Sequence, residues 1–132
     1  MTIQYRTNGK LEAEQLATLF RSSGIRRPVE DLSRLRQMIE NANLTITAWD
    51  EEQLVGVARA LTDFSWCCYL SDLAVDGAYQ HQGIGRELVQ RLRAEIGDEV
   101  TLLLSSAPNA MEYYPKIGFE ELKNGWTIKR LR

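Results

Sequence analysis

The chain has one histidine, two cysteines and three prolines in 132 residues, and its positive charge does not exceed its negative. Each shortage removes a class of function. The single histidine, His81, and the adjacent thiols Cys67 and Cys68 lie in different segments. That leaves too few clustered ligands for a zinc site, so no metal is expected. Neighbouring strand residues point to opposite faces, so a bridge between the two cysteines is strained and both are expected to stay reduced. A formal net charge of −2 offers no basic footprint for nucleic acid. No apolar run approaches the ~20 residues that cross a bilayer. The opening MTIQYRTNGKLEAEQ has neither the basic start nor the apolar centre of an export signal. The expectation is one cytoplasmic domain over residues 1–132, with no nucleic-acid or membrane partner.

What is present alternates between two periods. Residues 2–7 read as a short strand, and 10–24 as a helix with Leu11, Leu16, Leu19 and Phe20 on one stripe and Gly24 as its stop. Residues 28–43 place Leu32, Leu35, Met38, Ile39 and Ala42 at helical spacing, with Pro28 suited to the first turn. Runs 44–50 and 54–63 read as a hairpin turning at 50–53, and 66–75 as a third strand of that group. A helix over 83–96 carries Leu88, Leu92 and Ile96. The apolar 100–106 suits a strand covered on both faces. A short helix around 109–117 and closing strands at 119–122 and 126–131 complete an α/β pattern of mixed strand direction.

Gly83 and Gly85 sit where that later helix begins, although glycine weakens a helix by roughly 1 kcal/mol relative to alanine. A helix start exposes unpaired N–H groups and partial positive charge, and glycine lets an anion come close to them. Arg86 in the first turn opposes the dipole unless an anion is near. The segment therefore reads either as a diphosphate cradle or as a tight turn without a ligand. The spacing excludes a P-loop, which needs a lysine after its second glycine. It also excludes the dinucleotide fingerprint, whose third small residue is here Leu88.

Gln80-His81-Gln82-Gly83-Ile84-Gly85, preceded by Asp72-Leu73-Ala74-Val75, resembles the [RQ]-x-x-G-x-[GA] signature of the GNAT superfamily of acetyl-CoA-dependent N-acyltransferases. Ala110-Met111-Glu112-Tyr113-Tyr114-Pro115-Lys116-Ile117-Gly118-Phe119 resembles that family's A-x-x-[FY]-Y-x-K-x-G-F stretch. The resemblance implies a mixed, mostly antiparallel sheet with a V-shaped splay between two parallel strands, flanked by about four helices. It implies acetyl-CoA as co-substrate and no metal. Backbone groups of Leu73, Ala74 and Val75 are then expected to pair with the pantetheine arm, and one N–H there to polarise the thioester carbonyl. Gln80, His81, Gln82, Gly83, Ile84, Gly85 and Arg86 are expected to hold the pyrophosphate, with Asn109 as a further polar contact. Tyr114 is expected to protonate the departing thiolate, a role for which a phenol is chemically suited. Pro115 stands where the family has a helix-compatible residue, and it can end or bend the short helix at Tyr114. A homodimer is a further family-level expectation.

The acceptor side is less defined. A small-molecule or peptide amine must lose a proton before it attacks. Ser71 stands where several relatives carry glutamate, which leaves Asp72 as the first candidate base, with Asp63 and Glu112 behind it. Strand alternation turns Asp72 away from Ser71 and Leu73, and a structural carboxylate bonded to an arginine is its competing reading. Arg26 and Arg27 are candidates for attracting an anionic acceptor. Trp49, Trp66 and Trp126 read as packing or as pocket walls. The expected activity is acetyl transfer to a primary amine by direct attack in a ternary complex. The alternative is a non-catalytic acyl-CoA-binding or sensor module of the same fold.

Overall fold

A computed structural model describes residues 2–132. Its centre is a five-stranded sheet in the order β1-β2-β3-β4-β5: β1 Gln4–Thr7, β2 Leu44–Asp50, β3 Gln53–Thr62, β4 Cys67–Val75 and β5 Thr101–Leu103. The first three pairings are antiparallel and β4 with β5 is parallel. Two helices, α1 Ala13–Ser23 and α2 Leu32–Asn41, cover one face. There Leu16, Leu19, Phe20 and Leu35 pack on Trp49, Val57 and Ala74. On the other face α3, Ile84–Ile96, presses Ile84, Leu88, Val89 and Leu92 against Ile46, Val55, Ala58 and Leu70. The 3.6-residue stripes and the strand alternation both end in these two apolar clusters, which supply the main driving force for folding.

The local signals explain the element ends. Glu12 and Gln15 form a reciprocal capping box at the start of α1. Asp31 caps α2 by accepting from the Arg34 N–H, so α2 begins at Leu32 and Pro28 lies in the preceding turn rather than in the helix. The β3–β4 hairpin is held by Asp63, whose Oδ1 accepts from the backbone N–H groups of Ser65, Trp66 and Cys67 at 2.8–3.0 Å. Those bonds, led by that of Trp66, lower the Asp63 pKa to about 2. The carboxylate's contribution is therefore present above the ordinary value of 3.8 and lost as the pH falls through about 2. A side-chain carboxyl titration by NMR is expected to show Asp63 still ionised at pH 3.

The last third departs from the sequence pattern. β5 pairs with β4 only through Cys67–Thr101, Cys68–Leu102 and Tyr69–Leu103, while β4 continues to Val75. The two parallel strands thus separate after three residues. The apolar run 100–106 is half-buried on alternate residues rather than covered on both faces, because β5 is the outermost strand. No strand forms at 119–122 or 126–131. Trp126, Ile128 and Leu131 are 97%, 101% and 98% exposed. β-forming side chains do not make a strand without a partner edge for their N–H and C=O groups. The helix expected over 109–117 divides into a 3₁₀ turn, Pro108–Ala110, and a four-residue α4, Tyr113–Lys116. Cys67 is exposed and Cys68 buried, as alternation requires, and both are free thiols.

Candidate active site

The site grows from the loop between β4 and α3. His81 and Gly83 both have positive φ, +66° and +83°. Gly83 caps α3 in the left-handed region, where any β-carbon is strained, and the space above it is open. The Gly83 carbonyl accepts the first helical bond, from the Glu87 N–H. The N–H groups of Gln82, Gly83, Ile84, Gly85 and Arg86 find no acceptor among the described residues. The chain has bent so that a row of main-chain donors is unpaired at the positive end of a 13-residue helix. Such donors suit a diphosphate.

Beside this row β4 supplies an edge. Beyond Tyr69 its β5 side has no strand partner, so Leu73, Ala74 and Val75 line the opening of the splay. Gln80 folds back, donating from Nε2 to the Val75 carbonyl at 3.0 Å, and ties the loop to the end of β4. Arg86 reaches across to α4 and donates to the Lys116 carbonyl at 3.0 Å. That bond places a cation at the end of α4 and gives Arg86 a structural task alongside any anion contact.

Two tyrosines on α4 face different neighbours. The Tyr113 hydroxyl lies against Gly85. Tyr114 is half-buried and makes edge-to-face contacts with Tyr113 at 5.3 Å and Phe119 at 5.5 Å. Burial, reinforced by Tyr113, raises the Tyr114 pKa above its ordinary value, while Arg27 pulls it down. Tyr114 is therefore protonated at neutral pH and able to donate. Pro115 does not interrupt α4: it sits within the first turn, where its missing N–H has no helical acceptor to lose. Phe119 turns back through an N–H bond to the Tyr114 carbonyl. Asn109 is exposed in the 3₁₀ turn before α4.

The acceptor-side expectations change most. Asp72 is fully buried, with Oδ1 accepting from Arg27 Nε at 2.6 Å and Oδ2 from Arg59 Nε at 2.5 Å. A carboxylate shared between two guanidinium groups and closed to solvent is not a base for an incoming amine; Asp72 is structural. Nor does it face away from Ser71. A β-bulge between the pairs Arg59–Asp72 and Ala60–Leu70 leaves Ser71 without a partner, and Arg59 bonds both Asp72 and the Ser71 Oγ, the latter at 3.0 Å. Arg27 is committed too: besides Asp72, it donates to the Ser71 and Arg26 carbonyls. Arg26 remains an exposed residue of the same loop. Asp63 is locked in the β3–β4 turn, and Glu112 is exposed. Trp49 packs in the core, whereas Trp66 is 76% exposed.

Sequence reasoning missed Arg59 and Tyr113. A signal existed for the first. Arg59 is the lone charge of the run 54–62 and Asp72 the lone charge of 66–75, and buried charges require partners.

The comparisons agree with this geometry. The family model "Acetyltransferase (GNAT) domain" matches residues 15–128. The chain is 28% identical over 134 residues to "Probable acetyltransferase TAP2" of Glycine max, covering 89% of this chain and 52% of that protein. It spans about half or less of the length of the first curated relatives it matches. Among solved structures, a Staphylococcus aureus protein described as a probable acetyltransferase superposes with a TM-score of 0.81 at 23% identity, covering 98% of this chain and all of the other. An aminoglycoside N-acetyltransferase, AAC(6')-Iy, crystallised in complex with CoA, superposes with a TM-score of 0.71 at 14% identity, covering 99% and 96%. With a family match over most of its length, and with the splayed parallel strands and glycine-led helix already described, this chain belongs to the GNAT acetyltransferase family.

Proposed function

We propose that the protein is an acetyl-CoA-dependent N-acetyltransferase that passes an acetyl group to a primary amine within a ternary complex. The observation that carries this reading is the row of unpaired N–H groups at 82–86, beside the open edge of β4. The donor set fits the coenzyme. Helix-start N–H groups suit its diphosphate, and an unpaired strand edge suits the amide-bearing pantetheine arm. The CoA complex of the structural neighbour AAC(6')-Iy is consistent with that fit.

Acetyl-CoA, when bound, supplies a thioester activated toward nucleophiles. The chain's residues do the rest. N–H groups of 82–86 hold the diphosphate end. The β4 edge at 73–75 aligns the thioester and offers a donor to its carbonyl oxygen. The acceptor nitrogen forms the new C–N bond as the C–S bond breaks, and the Tyr114 hydroxyl gives its proton to the departing sulfur. With Asp72 enclosed between arginines, the acceptor ammonium gives its first proton to water rather than to that carboxylate. The second, shed by nitrogen as the amide forms, passes to solvent, from which the Tyr114 phenolate regains its proton.

The test is thiol release from acetyl-CoA across a panel of amines, alongside calorimetry with CoA. Turnover with at least one amine supports the reading. CoA binding without turnover across the panel selects a binding or sensor module instead, and absence of both removes the coenzyme from the account.

A further inference from the structure

The second glycine of the motif has a neighbour that the motif does not mention. A β-carbon at Gly85 would collide with the Tyr113 hydroxyl; the next atoms it would meet are Tyr113 Cζ at 3.4 Å and Val75 Cγ2 at 3.8 Å, ordinary contacts. Nothing lies within 4 Å of the equivalent position at Gly83. The two glycines therefore differ in kind. Gly83 serves a left-handed backbone and opens on free space, whereas Gly85 is a socket for one particular oxygen.

That oxygen is positioned and unused. Tyr113 is 37% exposed, and its hydroxyl has no hydrogen-bond partner among the described residues. It rests on the first turn of α3, next to the N–H groups of 84–86 that also lack acceptors. Arg86 fastens α4 to α3 through the Lys116 carbonyl, so the ring is carried on an anchored element. Burial raises the Tyr113 pKa, against the opposing pull of Arg86, and keeps the hydroxyl a donor at neutral pH.

We propose that Tyr113 is a coenzyme-contacting residue: seated by Gly85 on the first turn of α3, its hydroxyl donates a hydrogen bond to the diphosphate that the neighbouring N–H groups receive. This rests on the acetyl-CoA reading above and adds a residue to it. Tyr113 and Tyr114 then divide the work of one helical turn, the first toward the phosphate end and the second toward the sulfur.

A double-mutant cycle tests the assignment, using CoA in calorimetry, pantetheine binding followed by NMR, and thermal unfolding. Tyr113→Phe is expected to weaken CoA binding about tenfold, as for loss of one hydrogen bond to a charged group, with pantetheine affinity unchanged because pantetheine lacks the diphosphate. Gly85→Ala alone is expected to lower both CoA affinity and the unfolding temperature. In the Tyr113→Phe background the same alanine is expected to cost nothing further in either measurement, because the colliding oxygen is gone. Undiminished CoA affinity in Tyr113→Phe overturns the hydrogen bond. A further loss of CoA affinity in the double variant, at unchanged unfolding temperature, overturns the socket and returns Gly85 to phosphate approach. Wild-type protein that binds no CoA overturns the acetyltransferase reading itself, an outcome distinct from both.

Discussion

Asp72→Ala destabilises the protein by about 3–5 kcal/mol, the range expected when one partner of a buried ion pair is removed and the other stays behind. The magnitude follows from what is left. Arg59 is only 6% exposed and keeps just a carbonyl of α2, that of Met38, and the Ser71 hydroxyl as partners. Arg27 loses the charged one of its two bonds from the α1–α2 loop to β4 and keeps that to the Ser71 carbonyl. Equilibrium denaturation reads the effect as a lower midpoint. The companion result separates charge from volume. Arg59→Met combined with Asp72→Leu removes both buried ions, and is expected to cost less than Asp72→Ala alone. If the single variant unfolds at the wild-type denaturant concentration, the carboxylate does not hold the loop to the sheet, and its burial has another cause.

Tyr114→Phe is expected to lower kcat by roughly 10²–10⁴-fold, the usual contribution of a positioned general acid, while the ring contacts to Tyr113 and Phe119 and the fold persist. The pH dependence has a definite sign. The donating form is the protonated one, and burial raises the pKa above 10. Activity of the wild type therefore shows no fall attributable to this group until the pH passes 10. A Tyr114→Phe variant with wild-type kcat assigns the proton to another donor. Because Tyr113 stands on the adjacent residue, that result would direct attention to α4 as a unit.

The contrast between the parts that could be read from the residues and those that could not has a physical pattern. Helices α1 and α3 and strands β2 to β4 were legible because their apolar periods are long and their ends are marked, Gly24 and Gly97 being the clearest stops. The loop 80–86 was legible because glycine at a helix start is costly unless something uses it. The surroundings of Asp72 were not. A β-bulge leaves no signature in an alternating pattern, and assuming strict alternation turned Ser71 and Asp72 apart when Arg59 holds both. The segments 119–122 and 126–131 carry strand-forming side chains, but pairing is a property of two segments and cannot be read from one. Tyr113 was hidden for a similar reason, since only the structure reveals that Gly85 is shaped around it.

The unpaired Ser71 also makes the length of β4 carry information. Leu70 and Leu73, three positions apart, both touch the α3 cluster, while Asp72 and Ala74 look toward α1 and α2. Deleting Ser71 removes the extra residue and restores regular pleating with both halves on their present faces, because Leu70 and Leu73 then stand two positions apart. A deletion within either regular half, with the bulge kept, turns part of the strand over. A deletion scan of this strand should therefore find its most tolerant point at this small unpaired serine rather than at a residue of either regular half.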